Sequence, residues 1–116
     1  MRAAKLMSIL KEIGIPVTNT EFPSNTKVKP PFIVFFKSNI DTFDADNVVY
    51  VHNRDYYIEL YTACKSETME DRLIEKLNEH EINWDYVQDT RIEEGLYMMV
   101  LSIWVKKNGQ TNLMKF

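Results

Sequence analysis

The sequence YYIELYT at residues 56–62, followed by the helical pattern of residues 66–80, decides the fold of this chain. Side chains alternate along a strand, which puts Ile58 and Leu60 on one face and Tyr57 and Tyr61 on the other. In the segment that follows, apolar residues recur at intervals of three and four, as on one stripe of an amphipathic helix: Met69, Leu73, Ile74 and Leu77. We therefore expect the strand and the helix to share one core.

The start of this helix is marked by residues that cap helices. Ser66 or Thr68 can supply the capping oxygen, and Thr68 with Asp71 three positions later resembles a capping box. Glu67 and Glu70 complement the positive end of the helix dipole. The sequence therefore predicts a helix that begins near Ser66 and frays at residues 78–81.

Outward from this unit, periodicity and turn residues predict six more elements: a helix over residues 3–13 and strands over residues 17–22, 32–36, 48–52, 82–88 and 96–105. Asn53 is expected to turn residues 48–52 and 55–62 into a hairpin, and residues 90–95 to turn into the last strand. The order α-β-β-β-β-α-β-β predicts an α+β domain with two helices and a mainly antiparallel sheet of about five or six strands. One domain over residues 1–105 and a C-terminal tail over residues 106–116 are expected.

The amino-acid composition limits the classes of protein to which this chain can belong. The chain has 116 residues, 45% of them apolar and 27% charged, and a net charge of -3 without a basic stripe. These values are typical of a globular domain, and they disfavour nucleic acid as a partner. No apolar run approaches the roughly 20 residues that cross a bilayer, and the N-terminus lacks a signal-peptide cleavage pattern. The single cysteine, Cys64, cannot form an internal disulfide, which favours a reducing compartment.

Candidate catalytic and metal-binding groups are sparse. His52 and His80 are 28 positions apart, without a further Cys or His beside either, so ordinary surface or core histidines are expected. Cys64 is expected to be a small buried or half-buried thiol, because no base is suggested by the spacing. The acidic residues of the second helix are expected to form its solvated face: Glu67, Glu70, Asp71, Glu75 and Glu79. No catalytic residue, metal site, cofactor or small-molecule substrate is predicted.

The strands suggest an interaction surface instead. Two helices most simply cover one sheet face, and the second face is then expected to be lined by Tyr57, Tyr61, Met99, Leu101 and Ile103. Tyrosine-rich apolar surface of this kind suits a protein interface. Two alternatives stay open: the first helix could cover this face in a two-layer monomer, or exposed aromatic residues could stack on RNA bases. The motif typical of RNA-binding sheets is missing.

Several blocks, taken in order, carry a family resemblance. They are Lys29-Pro30-Pro31-Phe32-Ile33, Asp44-Ala45-Asp46-Asn47 before Tyr50, Tyr57-Ile58-Glu59-Leu60-Tyr61-Thr62, Glu70 with Leu73-Ile74 and Leu77, and Ile92-Glu93-Glu94 with Tyr97 and Val100. Together these blocks resemble the tail-completion proteins of siphophages and prophages, the tail terminator or head-tail joining family. The likeness spans about residues 28–105. The family fold is α+β, in agreement with the pattern above.

The resemblance implies a structural role without chemistry. Proteins of this family form a ring, usually hexameric, that caps the finished tail tube, stops its polymerisation and meets the head connector. The implied partners are further copies of the chain, the major tail protein and head-connector proteins, first in the host cytoplasm and then at the tail-head junction of the virion. A ring needs two different contact patches on each subunit. The residues expected at subunit or partner contacts are Ile40, Phe43, Tyr57, Tyr61, Tyr97, Met99 and Leu101.

Overall fold

The computed structural model describes residues 1–24, 27–38 and 55–105. These residues form two helices and five strands: α1 (Ala3–Lys11), β1 (Val17–Asn19), β2 (Phe32–Lys37), β3 (Tyr56–Thr62), α2 (Glu67–Glu79), β4 (Asn83–Glu93) and β5 (Leu96–Trp104). The α+β class predicted from the sequence is confirmed. The predicted strand at residues 48–52, its turn at Asn53 and the tail at residues 106–116 lie outside the described residues.

The five strands form one sheet in the order β1-β2-β3-β5-β4. β1 runs parallel to β2, and the other three pairings are antiparallel. In the described part of the chain, β1 and β4 are therefore the edges of the sheet. No described helix is both long and apolar enough to cross a membrane.

Helix α1 is amphipathic and ends earlier than its apolar pattern suggests. Its buried side chains are Leu6, Ile9 and Leu10. The helix stops at Lys11 rather than at Ile13, although Ile13 remains buried as part of the core. Gly14 follows with a φ of +95°, a conformation that L side chains rarely adopt, so the chain turns here towards β1.

Helix α2 begins as its capping residues predict. Ser66 is the N-cap, and its Oγ accepts a hydrogen bond from the backbone N–H of Met69 at 3.2 Å. Thr68 lies inside the first turn, so of the two predicted caps Ser66 is the one used. Leu73 and Leu77 are fully buried, while Glu67, Asp71, Glu75 and Glu79 are exposed and Glu70 is half-buried. The acidic face of the helix is thus largely solvated, as predicted.

The core lies between the two helices and one face of the sheet. The sheet contributes the buried residues Ile33, Phe35, Tyr56, Ile58, Leu60, Met99, Leu101 and Ile103, which form one cluster with the buried residues of both helices. Burying each leucine or isoleucine of this cluster stabilises the fold by about 1.5–3 kcal/mol. Because α1 belongs to the same cluster as α2, the alternative that placed the first helix on the far face is wrong for the described residues.

The β4–β5 hairpin is longer than predicted. β4 continues to Glu93 instead of ending at Gln88, so the turn consists of Glu94 and Gly95 rather than residues 90–95. Gly95 has a φ of +79°, which explains why a glycine occupies this tight turn. The register between the strands shifts twice, between Tyr86 and Gln88 and between Arg91 and Glu93, so β4 carries two bulges.

Candidate interaction surface

The sheet face opposite the helices follows from the strand register. Tyr57 pairs with Ser102, Glu59 with Val100 and Tyr61 with Met98, and directly opposed residues point to the same face. On β2, the pairing of Phe32 with Tyr61 and of Phe36 with Tyr57 places both phenylalanines there too. We call this surface the outer face; its apolar and aromatic residues are Phe32, Val34, Phe36, Tyr57, Tyr61, Met98, Val100 and Trp104.

Aromatic rings pair across β2 and β3 on the outer face. Phe32 and Tyr61 are stacked, with centroids 4.7 Å apart and planes inclined by 18°. Phe36 and Tyr57 lie 5.6 Å apart at 40°, and Phe22 approaches Phe32 edge-on at 5.6 Å. These four sheet residues are half-buried rather than buried. The pairs therefore hold rigid apolar rings at a surface that solvent still reaches.

Glu59 is the charged residue at the centre of this face. Its Oε1 accepts a hydrogen bond from the Tyr61 hydroxyl at 2.8 Å. Burial raises the pKa of Tyr61 well above its ordinary value of 10, and the hydrogen bond to Glu59 raises it further. The hydroxyl is thus a neutral donor at physiological pH. The Tyr61–Glu59 pair can orient a polar contact on an apolar surface. The raised pKa of Tyr61 disfavours proton transfer by its hydroxyl near neutral pH.

The structure corrects part of the predicted surface. Met99, Leu101 and Ile103 were expected beside Tyr57, but Leu101 pairs with Ile58 and Met99 with Leu60, on the core face. Met99 is 3% exposed and Leu101 is 0% exposed, so neither is available to a partner that contacts the outer face. The alternation within each strand was predicted correctly. The error lies in which face of β5 was matched to which face of β3. Only the hydrogen-bond register between the two strands determines that match.

The remaining predicted contact residues have different positions. Tyr57 and Tyr61 lie on the outer face, as expected. Tyr97 pairs with Thr62 on the core side of the sheet and is half-buried near its end. Ile40 and Phe43 lie outside the described residues. Phe32, Phe36 and Met98 were missed as contact residues, although the alternation of β2 and β5 could have identified them once the antiparallel register was known.

A second exposed surface lies on edge strand β4, and it was also missed. Tyr86 is 55% exposed, and Val87 and Ile92 are each 46% exposed. Val87 and Ile92 are the residues that the register skips, which makes them the extra residues of the two bulges. The sequence signal is the break in alternation after Tyr86, where an apolar residue occupies a position that period two assigns to the opposite face.

Lys65 anchors β4 to the start of α2. Its ammonium group forms ion pairs with Glu70, at 2.8 Å, and with Asp89. Hydrogen bonds to Asp89 and then Glu70 raise the pKa of Lys65. The neighbouring residue Cys64 is exposed, so the expectation of a buried or half-buried thiol is wrong. Cys64 comes at the end of β3, where the chain leaves the sheet before α2.

One group of possible metal ligands lies where the two helices end. Ligand atoms of Glu12, Glu79 and His80 come within 4.8 Å of one another, and all three residues are exposed. The Lys76 ammonium lies between the carboxylates, 3.2 Å from Glu12 Oε1 and 2.8 Å from Glu79 Oε1. It already compensates their charge, so this group is best explained as an ion-pair cluster that joins α1 to α2. His52 lies outside the described residues.

A cleft beside the end of β5 is rich in cationic side chains. It is lined by Arg2, Lys5, Ile9, His80 and Ile82, among others. Its charged groups are cationic, without a carboxylate or nucleophile among the lining residues. These groups are better suited to binding an anionic group than to general acid-base catalysis. Among the described residues, the outer face and the β4 edge are therefore the best-supported functional surfaces.

Comparison of the chain with protein-family models, with curated proteins and with solved structures finds no match.

Proposed function

We propose that this protein is a structural component of a phage or prophage tail. In this proposal it forms a homo-oligomeric ring, with six subunits as the expected number, that caps the tail tube, ends its polymerisation and joins it to the head connector. The ordered sequence blocks that resemble tail-completion proteins support it, and an α+β fold agrees with that family. The protein would act in the host cytoplasm during assembly and then at the tail-head junction. It would need no cofactor and no catalytic group.

The observation that carries this proposal is the outer face. Both described helices pack on the opposite side of the sheet, and the outer face presents two aromatic pairs, Phe32 with Tyr61 and Phe36 with Tyr57. Contiguous apolar surface of this kind marks an interaction site more often than a solvent-facing sheet, and aromatic residues are enriched at such interfaces. The outer face is therefore our candidate for one contact of the ring.

A ring also requires a second patch on each subunit, because head-to-tail contacts join two different surfaces. The β4 edge is the candidate for this patch. The β4 edge runs along one side of the sheet, whereas the outer face is one of its two broad surfaces. A neighbouring subunit would therefore contact these two surfaces from different directions. The half-buried outer face and the exposed β4 edge are two distinct surfaces of one small domain, and a closed ring of identical subunits needs two.

The decisive experiment mixes the purified protein with its major tail protein. Native mass spectrometry should detect a closed oligomer, and electron microscopy should place a ring at the end of tail tubes and show that tube growth stops. A chain that is monomeric in isolation but forms the ring on tubes also supports the proposal. Tubes that grow to the same length with and without the protein, and that carry no bound ring, would contradict it.

The stacked aromatic rings also support a second candidate, a small module that binds RNA or protein. Phe32 and Tyr61 are half-buried aromatic residues on a sheet face without a described helix, where base-stacking residues lie in RNA-binding sheets. Glu59 at the centre of the face and the net charge of -3 oppose a phosphate backbone. Binding of single-stranded RNA that weakens steeply with added salt would favour this candidate over the tail protein.

A further inference from the structure

Edge strand β4 has one side without a neighbouring strand in the described part of the chain. It is an 11-residue strand that pairs only with β5 in the described part of the chain. Nine of its residues are exposed, and only Trp84 and Asp89 are half-buried. Long exposed edges readily accept a further strand, and natural proteins usually shorten, cover or disrupt them. Although two bulges interrupt it, this edge is long and is uncovered among the described residues, so an extended segment can reach it.

The bulges of β4 shape what can dock there. Each bulge interrupts the regular ladder, so an added strand would pair over short stretches rather than over the whole edge. Both bulge residues, Val87 and Ile92, are apolar and 46% exposed. A bulge turns an edge away from further pairing, but these two bulges also expose apolar side chains. An occupant with apolar side chains would cover Val87 and Ile92.

The charge of the β4 edge further restricts which kind of segment can bind there. From Asp85 to Glu94 the edge carries the acidic residues Asp85, Asp89, Glu93 and Glu94, against Arg91 as its only basic residue. Asp89 is paired with Lys65, in the connection between β3 and α2, and Asp85 also has an interaction partner. Glu93 and Glu94 still outnumber Arg91 at the end of the edge. An extended segment that binds it should thus be basic, because complementary charge guides and orients such contacts.

We propose that the occupant is residues 106–116 of a second copy of this chain. This segment, KKNGQTNLMKF, carries three lysines and no acidic residue, and it adds Leu113, Met114 and Phe116. Fully extended, these 11 residues would span about 36 Å, which matches the length of the 11-residue strand β4. Strand β5 ends at Trp104, which pairs with Asn83 at the start of β4, so the segment begins near that point. This inference rests on the self-assembly in the proposed function and specifies its subunit contact.

The same segment is less well suited to its own subunit. To reach the free edge of its own β4, the chain would have to pass over the start of β4, where α2 leads into that strand. It would then lie parallel to β4, in the slightly weaker pairing mode. Insertion into a neighbour avoids that crossing. Such a contact also joins two different patches of the subunit, as a ring requires.

Cysteine cross-linking between two separately made chains tests this proposal. In a Cys64→Ser background, one isotope-labelled chain carries Val87→Cys on the edge and an unlabelled chain carries Asn112→Cys in the segment. After mixing with the major tail protein and mild oxidation, mass spectrometry should detect a disulfide-linked dimer of one labelled and one unlabelled chain. The matched control, Asn19→Cys on the opposite edge strand β1, should give about tenfold less of that dimer.

Charge variants give a second measurement that does not depend on oxidation. Reversing the tail, with Lys106→Glu, Lys107→Glu and Lys115→Glu, should lower the yield of the mixed dimer about tenfold at low salt. Reversing the edge as well, with Glu93→Lys and Glu94→Lys, should restore that yield. Circular dichroism checks that every variant is folded.

The outcomes separate this inference from the proposed function. Rings that bind tube ends without any mixed dimer would overturn the tail exchange and leave the proposed function intact. A chain carrying both cysteines that links only within itself would overturn it equally. A mixed dimer that forms without binding to tubes would support the exchange and contradict the role in tails.

Discussion

Tyr57 lies directly opposite Ser102 in the antiparallel pairing of β3 with β5, and this register decides which residues a partner can reach. It places Met98 on the outer face beside Tyr61 and directs Met99 into the core against Leu60. Two adjacent methionines of one strand thus have different environments. One is half-buried on a surface, and the other is 3% exposed beneath the helices.

Because the two methionines lie on different faces, mutation of Met99 should affect stability, whereas mutation of Met98 should affect assembly. Met99→Ala should lower the free energy of unfolding by about 2–5 kcal/mol, because it leaves a cavity in the core. The double variant Tyr57→Ser/Met98→Ser should cost far less stability but reduce ring formation on tail tubes. Denaturant unfolding and native mass spectrometry measure the two effects. Normal ring assembly by the double variant would exclude the outer face as a subunit contact.

Leu73 provides a test of the helix packing. It is 0% exposed and lies among core residues of both helices and the sheet. Leu73→Ala should lower the free energy of unfolding by about 2–5 kcal/mol. The matched control is Ile92→Ala, at a residue that is 46% exposed, and it should change the free energy of unfolding by about 0.5 kcal/mol or less. Equal effects at the two sites would contradict the assigned core.

Ser66 and Thr68 allow a direct test of which residue caps α2. The Ser66 Oγ accepts the Met69 N–H, so Ser66→Ala should cost about 1 kcal/mol in the free energy of unfolding. Ser66→Asp should retain most of that stability, because aspartate is also a good cap. Thr68→Ala is the control, since Thr68 lies within the helix. Urea unfolding of the three variants would contradict the cap if Thr68→Ala proved the more costly change.

Much of the fold could be predicted from local pattern. Helix α2, its cap at Ser66 and strand β3 follow from periodicity and capping chemistry, which act over a few residues. The end of β4 could not be predicted, because bulges at Val87 and Ile92 break the alternation that defines a strand. The strand at residues 48–52 stays a prediction.

The composition of the outer face was only half predictable, for a physical reason. Alternation assigns Tyr57 and Tyr61 to one face of their strand, but a shift of one residue in register exchanges the faces of the neighbouring strand. Register depends on pairing between residues 35 or more positions apart, such as Tyr57 and Ser102. A single sequence does not specify that pairing, so Met99 was assigned to the wrong face and Met98 was overlooked.

Gly95 tests how the long β4–β5 hairpin is closed. A Cβ at this position would meet no atom within 4 Å, so packing does not require glycine there. Its φ of +79° does, and Gly95→Ala should therefore lower the free energy of unfolding by about 1–2 kcal/mol. Gly95→Asn should cost less, because asparagine tolerates the left-handed region. Thermal unfolding of both variants measures the difference, and an equal cost would show that backbone strain is not the cause.

Glu12 makes the contact between the helix ends sensitive to acid. Hydrogen bonds from Lys76 and then from His80 lower the pKa of the Glu12 carboxyl below its ordinary value of 4.5. Between the folded and unfolded pKa values the unfolded chain binds more protons, so the free energy of unfolding rises with pH in that interval. The contribution is complete above about pH 4.5 and is lost as the pH falls through the folded value. Glu12→Gln should therefore flatten the acid limb of the stability curve.

The control for this prediction is Glu75→Gln, which makes the same charge change at an exposed position of α2 and should leave the acid limb steeper than Glu12→Gln does. Urea unfolding at intervals from pH 3 to pH 6 measures both curves. Because the Lys76 ammonium of α2 pairs with Glu12, the C-cap of α1, as well as with Glu79 on its own helix, Lys76→Met should flatten the same limb. Identical acid limbs for the wild type, Glu12→Gln and Lys76→Met would show that this ion-pair cluster does not join the helices in solution.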